Sequence, residues 1–235
     1  TGGPEVLQWE EVALPAPDHS GKGGKIVYTA AMRRGLTHSE TILPAVDRAL
    51  SASGLACADI DLFAAVAGPG SFTGVRIGVC MAKGFAHAVG GRCCAVNALE
   101  ALAMNACGFD GLACPILDAR RGQVYCAAFD MSSGEPVRAL PDAALALGEF
   151  LGRLPSGRRL AFLGDGVSLH ADAIRAALGA RAAVLPPNLS DLRADAACVL
   201  AQRRPESWVE PARLLPYYLR QPQAERERLA REGGA

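Results

Sequence analysis

The sequence lacks the usual marks of several functional classes. Lysine plus arginine equals aspartate plus glutamate at 24 each, so the formal net charge is zero. A chain that binds nucleic acid by itself usually carries a basic surplus, and here only a local basic patch stays open. The eight cysteines form no C-x-x-C pair and no histidine pair stands at ligand spacing, so no zinc site is expected.

Signals for export and membrane insertion are also missing from the sequence. No signal peptide opens the chain, and no window approaches the roughly 18 uncharged apolar residues of a membrane span. Half of the residues are hydrophobic and a fifth are charged, as in ordinary globular proteins. The sequence therefore predicts a cytoplasmic protein with no membrane partner. The cysteines inside apolar runs are predicted to be buried free thiols: Cys57, Cys80, Cys107, Cys114 and Cys126.

The most informative stretch spans residues 60–90. The apolar run at 62–67 predicts a strand, and the turn after it leads to Ser71 and Thr73, both good helix N-caps. A helical pattern then extends to Val89, and Gly90 ends it. The sequence thus predicts a strand–loop–helix unit. Its motif loop consists of Gly68, Pro69, Gly70, Ser71, Phe72 and Thr73.

The predicted helix of this unit carries small residues four positions apart, which places them along one face. They are Gly74, Gly78, Ala82 and Ala86. A glycine inside a helix costs about 1 kcal/mol relative to alanine, so the two glycines need a reason. Close packing within this chain is one, and a surface for a helix of another chain is the other. Arg76 and Lys83 are predicted to extend to solvent.

The motif loop matches none of the known phosphate or nucleophile motifs. Gly74 comes one place too late after Gly68 and Gly70 for the dinucleotide fingerprint, and no Gly-Lys-Ser/Thr occurs. Ser71 lacks the flanking residues of a hydrolase nucleophile elbow. The sequence therefore assigns no catalytic residue, no metal ligand and no cofactor-binding residue.

Four stretches of the chain resemble the signature of the TsaB (YeaZ) family. They are GPGSFTGVRIG at 68–78 with AKG at 82–84, HSE at 38–40 with ILP at 42–44, DARRGQVY at 118–125, and LPYYLR at 215–220 followed by Pro222 and AE at 224–225. Together they cover residues 25–225 in order. The chain departs from the family near its start, where members usually carry a strand ending in Asp-Thr-Ser. In nucleotide-binding relatives that first loop holds phosphate.

The pattern of alternating strands and helices predicts an α/β protein. The resemblance implies the actin-like ATPase fold (ASKHA, ribonuclease H-like) with two duplicated α/β lobes, divided as residues 1–107 and 108–235. The first 24 residues are predicted to be mostly loop. Strands are predicted at 25–32, 92–96, 112–117, 124–129, 136–140, 159–163 and 182–185. Besides the central helix, helices are predicted at 98–107, 143–154, 169–178 and 191–203, and another is capped by Thr37 or Ser39 and extends to Ser53.

The resemblance implies a non-catalytic subunit of the machinery that forms N6-threonylcarbamoyladenosine in tRNA. Such a subunit pairs with a TsaD-like catalytic subunit of the same fold, a TsaE-like ATPase takes part, and the subunit alone is expected to form a homodimer. This chain would meet tRNA, and ATP or ADP, only within the complex. The predicted partner interface comprises His38, Gly74, Arg76, Gly78, Ala82 and Ala86.

Two other functions stay open at this point. One is an ATP-dependent kinase or phosphatase of the actin-like class, with residues 68–74 and 164–166 as phosphate loops. A strand-to-helix loop capped by Ser168 is the simpler interpretation of 164–166. The other is a self-associating scaffold without a role in tRNA modification. Likewise, Asp118, Arg120 and Arg121 could form a polar site or simply a turn with solvated charges.

Overall fold

The structure is a computed structural model that describes residues 8–15, 26–34 and 38–220, with side chains described for 26–31 and 41–220. The strands in this part of the chain are β1 (Gln8–Pro15), β2 (Ile26–Arg34), β3 (Leu62–Gly68), β4 (Arg92–Asn97), β5 (Leu112–Asp118), β6 (Gln123–Asp130), β7 (Val137–Ala146), β8 (Leu160–Leu163) and β9 (Ala182–Val184). The α-helices are α1 (His38–Ser53), α2 (Phe72–Val89), α3 (Ala98–Ala103), α4 (Leu147–Arg153), α5 (Gly166–Leu178) and α6 (Ala194–Gln202).

The first half of the chain forms two small sheets. β1 and β2 pair antiparallel, with Val12 opposite Ala30. β3 and β4 pair in parallel, with Ala64 opposite Cys94. Parallel neighbours need a long crossover, and α2 supplies it by packing back on β3. The predicted strand–loop–helix unit is confirmed.

The second half forms one five-stranded sheet in the order β7-β6-β5-β8-β9. β5, β6 and β7 pair antiparallel, whereas β5, β8 and β9 run parallel. Side chains alternate between the two faces of a strand, so Ile116 packs with Phe150 on one face while Ala113 packs with Leu99 on the other. Helices α4 and α5 cover the first face and α3 covers the second, so both faces of this sheet are buried.

Helix α3 is buried between the two halves of the chain. All six of its residues are buried, including the carboxylate-bearing Glu100. Arg204 donates two hydrogen bonds to the Glu100 carboxylate, at 3.0 and 2.7 Å, and so compensates its burial. Helix α6 in turn packs against β1, β3 and β4. The division at residue 107 therefore remains a prediction, and contacts of α3 and α6 cross it.

Several predicted boundaries are corrected by the structure. β1 begins at Gln8, where the sequence predicted mostly loop, while residues 1–7 and 16–25 lie outside the described part. β7 extends to Ala146, so α4 starts four residues later than the predicted helix at 143. The run from Val137 to Ala146 pairs along β6, and this non-local pairing overrides the helical propensity of its alanines. α5 begins earlier and α6 is shorter than predicted.

The environment of the cysteines differs from the prediction at three positions. All eight thiols are free, and Cys114 and Cys126 are buried as expected. Burial raises the pKa of Cys126 to about 12, so this thiol stays protonated and behaves as a small apolar group. Cys80 and Cys107 are exposed instead, and Cys57 is half-buried.

None of the helices in the described ranges has the length and apolar character needed to cross a bilayer.

Candidate functional site

The motif loop ends β3 and starts α2 as a capped turn. The Ser71 hydroxyl accepts a hydrogen bond from the Gly74 amide at 3.4 Å, and the Val75 amide donates to the Ser71 carbonyl at 2.9 Å. At the other end Gly90 adopts a left-handed conformation with φ 73°, and its amide donates to the Ala86 carbonyl. Both helix ends are thus formed by the residues that the sequence predicted.

Gly68 allows another part of the chain to pass directly over the motif loop. The Tyr217 amide donates to the Ala67 carbonyl at 2.7 Å. A Cβ atom built on Gly68 would lie 2.4 Å from the Tyr217 carbonyl oxygen, and the φ of Gly68 is 118°. Both facts require glycine at this position. The protein itself therefore covers the turn at Gly68.

Phe72, Arg76 and Tyr218 form a compact cluster at the start of α2. The rings of Phe72 and Tyr218 stack with centroids 5.1 Å apart. The Arg76 guanidinium lies 3.9 Å from the Phe72 ring centroid, and its Nε donates to the Tyr218 hydroxyl at 2.9 Å. Arg76 was predicted to reach solvent and a partner. Arg76 is exposed, as predicted, and it also holds a residue 142 positions away in its own chain; its part in a partner interface stays a prediction.

The cluster is one of several anchors for residues 208–220, here called the C-terminal segment. Cys93 and Val209 exchange two backbone hydrogen bonds of 2.8 Å, like neighbouring strand residues. The Lys83 ammonium donates to the carbonyls of Ala212 and Leu214 at 3.3 and 3.2 Å. Lys83 therefore does not simply extend to solvent, as the sequence predicted. The two signature stretches at 68–78 and 215–220 meet in space.

The small residues of α2 divide into two pairs. Ala82 and Ala86 are buried in this chain, where they pack with Ala65 and Ala67 of β3. Internal packing, one of the two explanations left open by the sequence, therefore accounts for these alanines and removes them from the predicted interface. Gly74 and Gly78 are half-buried, and no heavy atom lies within 4 Å of a Cβ built on Gly78. Nothing in the described chain thus requires glycine at that position.

An uncharged face of α2 points away from the protein and was missed in the sequence. It is called the outer face here and consists of Thr73, Ile77, Cys80, Met81, Gly84 and Ala88, all exposed or half-exposed. Residues at these spacings share one side of a helix. Gly74 and Gly78 border it. Helix periodicity alone gives this group of residues, but it does not show that this side of α2 points away from the sheet.

Helix α1 contacts α2 and carries an exposed apolar side chain. The two helices contact each other, and Leu43 of α1 is 53 % exposed. On the same helix Ala49 is fully buried. α1 begins at His38, whose side chain lies outside the described residues.

The second glycine turn, at residues 164–166, also has a packing explanation. A Cβ on Gly164 would lie 2.2 Å from the Ile116 carbonyl oxygen, and one on Gly166 would lie 3.1 Å from it. The backbone of this turn therefore packs closely against the end of β5. The Ser168 hydroxyl donates to the Asp165 carbonyl at 2.9 Å and does not accept a capping bond, so the predicted Ser168 cap is wrong.

Asp165 has an unusual environment between the ends of β5 and β8. Its carboxylate accepts the Asp118 amide at 2.9 Å. Although the residue is exposed at its outer side, the protein packed around the carboxylate raises its pKa by desolvation, and the Asp118 charge adds to the rise. Hydrogen bonds from the amides of Asp118 and Gly166 and the charge of Arg120 act in the opposite direction.

We expect Asp165→Asn to stabilise the protein slightly at neutral pH. A carboxyl group whose pKa is raised on folding contributes stability below its unfolded pKa and loses that contribution as the pH rises through the folded value. The ionised group is therefore unfavourable at pH 7, and asparagine keeps the oxygen that accepts the Asp118 amide. Because Asp165 is partly solvated, the increase in Tm should not exceed about 2 °C. It should vanish below about pH 4 in thermal scans; a gain that persists there would contradict this account.

A cavity of about 460 Å³ lies where β3 and β4 end, opposite β7. Its polar wall is formed by Asn97, Arg138 and Asp142. Asn97 and Arg138 both donate to the Asp142 carboxylate, while Asn97 also caps α3 by accepting the Glu100 amide at 3.0 Å. These polar groups thus satisfy one another. No group of three His, Cys, Asp or Glu residues suited to a metal ion occurs among the described residues.

Comparison with known proteins defines the class of this fold. A family model described as TsaD, tRNA N6-adenosine threonylcarbamoyltransferase, matches residues 19–227. Two solved structures from Pseudomonas aeruginosa, one of YeaZ and one of a protein with similarity to YeaZ, superimpose with TM-scores of 0.68 and 0.73. Each is 25 % identical and aligns over 92 % of this chain and 96 % of the other. The protein therefore has the TsaD-like, actin-like ATPase fold.

Sequence relatives narrow the assignment further. The tRNA threonylcarbamoyladenosine biosynthesis protein TsaB of Bacillus subtilis is 36 % identical over 189 residues, which are 80 % of this chain and 82 % of that protein. TsaB of Escherichia coli is 39 % identical over 94 residues, 39 % of this chain and 41 % of that one. The Agrobacterium fabrum transferase is 37 % identical over 100 residues, 43 % of this chain but only 26 % of its own length. The chain belongs to the TsaB (YeaZ) family.

Proposed function

We propose that this chain is a non-catalytic subunit of the machinery that forms N6-threonylcarbamoyladenosine in tRNA. It pairs with a TsaD-like catalytic subunit, and a TsaE-like ATPase acts with the pair in the cytoplasm. ATP or ADP and the tRNA meet this subunit only in that complex. The assignment is supported by membership in a family whose Bacillus subtilis member is named as a biosynthesis protein of this modification.

The observation that carries the proposed role is the uncharged outer face of α2. Two of the cations of α2, Arg76 and Lys83, are turned to the C-terminal segment and away from this face. What remains on the outer face is small or apolar, and the exposed His87 lies at its edge beside Cys80. A helix from another chain can approach such a surface closely without burying a charge. The same face would join two copies when the partner is absent.

The environment of the glycine turns argues against the alternative of an independent ATP-dependent enzyme. That function requires the turns at 68–74 and 164–166 to receive phosphate. Gly68 packs under Tyr217, and Gly164 packs against Ile116, so the close approach that glycine permits is already used by the chain. Asp165 would also place a carboxylate in the second turn. These contacts favour a subunit that leaves the chemistry to its partner.

A substitution at Gly78 tests which edge of the outer face is used. We expect Gly78→Leu to fold with a Tm equal to that of the parent or higher, because open space surrounds its Cβ position and glycine is a poor helix former. We expect its affinity for the TsaD-like subunit to fall by about tenfold, since a leucine holds the partner helix away. Isothermal titration calorimetry measures the loss, and Gly78→Ala is the control that adds only one methyl group. Unfolding of the leucine variant would contradict the open environment, and undiminished affinity would exclude this edge.

A further inference from the structure

The turn between β5 and β6 holds two successive arginines in a backbone conformation that L-residues rarely adopt. The φ angles of Arg120 and Arg121 are 64° and 56°, and that of Gly122 is 71°. Left-handed positions in turns are normally occupied by glycine, asparagine or aspartate, which adopt them at least cost. Arginine at both positions therefore needs a reason outside the backbone. Strained residues of this kind concentrate at functional sites.

The turn is held firmly from three sides. At its base the Ala119 amide donates to the Gln123 carbonyl at 3.0 Å, and the Gln123 amide donates to the Arg120 carbonyl at 3.2 Å. The Asp118 carboxylate accepts the Arg120 amide at 2.8 Å. Arg220 of the C-terminal segment donates to the Ala119 carbonyl at 2.9 Å. The two arginine side chains thus project from a fixed support, which lowers the entropy lost on binding a ligand.

The turn is a local basic feature in a chain without net charge. Arg120, Arg121 and Arg220 bring three guanidinium groups to it, against the carboxylates of Asp118 and Asp165. Arg120 lies 3.5 Å from the Asp118 carboxylate, yet its side chain is 68 % exposed. Arg121 is exposed and makes no ion pair with any residue that the structure describes. Its guanidinium is therefore available to an outside anion.

We infer that Arg120 and Arg121 bind the phosphodiester backbone of the tRNA once the subunit is in its complex. The inference rests on the proposed function and adds a direct RNA contact to it. A guanidinium matches a phosphate in charge and geometry and can donate two parallel hydrogen bonds. The turn offers no apolar side chain larger than Ala119, whereas protein interfaces are centred on buried apolar or aromatic residues. A contact of two cations adds affinity within an assembly and is too small to bind tRNA alone.

The substitution Arg121→Gly tests this inference without straining the fold. Glycine removes the guanidinium and accepts the left-handed conformation, so the Tm should stay equal or rise. The complex with the TsaD-like subunit is mixed with an unmodified tRNA transcript, and fluorescence anisotropy gives the affinity at several salt concentrations. We expect binding to weaken by about fivefold and the slope of log K against log salt to fall by about one. Arg175→Gln on α5 is the control, because it removes the same charge from an exposed arginine elsewhere.

The outcomes separate this inference from the proposed function. If Arg121→Gly assembles and binds tRNA with the affinity and salt slope of the parent, the RNA contact is wrong and the subunit role stands. If the variant loses affinity for the partner protein but not for tRNA at saturating partner, the arginines contact protein, and the RNA contact is again wrong. A parent chain that forms no complex contradicts the proposed function and this inference with it. If Arg175→Gln loses as much affinity for tRNA, the effect comes from the net charge of the chain, which would contradict a specific contact.

Discussion

Cys80→Arg should reduce the affinity for the TsaD-like subunit by at least about 100-fold. Cys80 lies on the outer face halfway along α2 and is exposed in the single chain. An arginine there would have to be buried without a partner charge when another helix packs on this face. The cost of such burial, with the loss of close contact, is about 3 kcal/mol or more. Titration calorimetry or surface plasmon resonance would measure it.

The control for Cys80→Arg is Ala173→Arg, which places the same side chain on the exposed surface of α5. Both variants should keep the parent Tm, because both positions are exposed helix sites. The account predicts that only Cys80→Arg loses the partner. Equal binding by both variants would show that the outer face is not the interface. Equal loss by both would show that added positive charge, rather than position, disturbs the complex.

Gly68→Ala should give the largest loss of stability among the substitutions considered. The new methyl group would meet the Tyr217 carbonyl oxygen at 2.4 Å, and alanine would have to adopt a φ of 118°. Strain and overpacking together cost about 3 kcal/mol, which lowers the Tm of a chain of this size by roughly 6–12 °C. Thermal unfolding followed by circular dichroism would measure the change.

Gly70→Ala is the matched control in the same loop. A Cβ on Gly70 has Val75 Cγ2 as its nearest neighbour at an ordinary 3.7 Å, and Gly70 is outside the left-handed region. Its Tm should therefore stay within about 2 °C of the parent. If Gly68→Ala is equally well tolerated, the C-terminal segment does not lie against the motif loop as the structure places it. In that case the phosphate interpretation of the Gly68 turn would regain its basis.

The sequence alone was enough to place the ends of an element where those ends are fixed by capping residues. Ser71 and Gly90 define the ends of α2 through capping and a left-handed stop, and both are visible in the sequence. β7 was placed too short because its alanine-rich end favours a helix locally. Only pairing with β6, a contact between separate segments, makes residues up to Ala146 extended. The helix and strand propensities of single residues do not include the stability gained from pairing with a distant strand.

The sequence could point to α2 as a candidate interface helix but could not give the orientation of that helix. The file of small residues identified α2, yet helix periodicity cannot say which of several faces meets the sheet. Ala82 and Ala86 meet β3, and Cys80 on another side of the helix is exposed. The contact of Arg76 with Tyr218 joins residues 142 apart, and no spacing rule reaches that far. The family signature contains both residues, and in the structure the Arg76 side chain donates a hydrogen bond to the Tyr218 hydroxyl.

The reason for a glycine in a turn also cannot be determined from the sequence alone. A glycine-rich turn after a strand is compatible with phosphate binding and with close packing, and the two look alike in a sequence. Gly68 and Gly164 each lie against a backbone carbonyl from another part of the chain. The reason for glycine is therefore visible only when both partners of the contact are known.

The most direct measurement is light scattering during size-exclusion chromatography, first with the chain alone and then with the TsaD-like subunit from the same organism. Cys80→Arg serves as the reference in both runs. The account predicts a dimer alone that exchanges into a one-to-one complex with the partner, while Cys80→Arg stays monomeric in both. A chain that forms no complex with the partner, with or without ATP, would contradict the proposed role as a subunit.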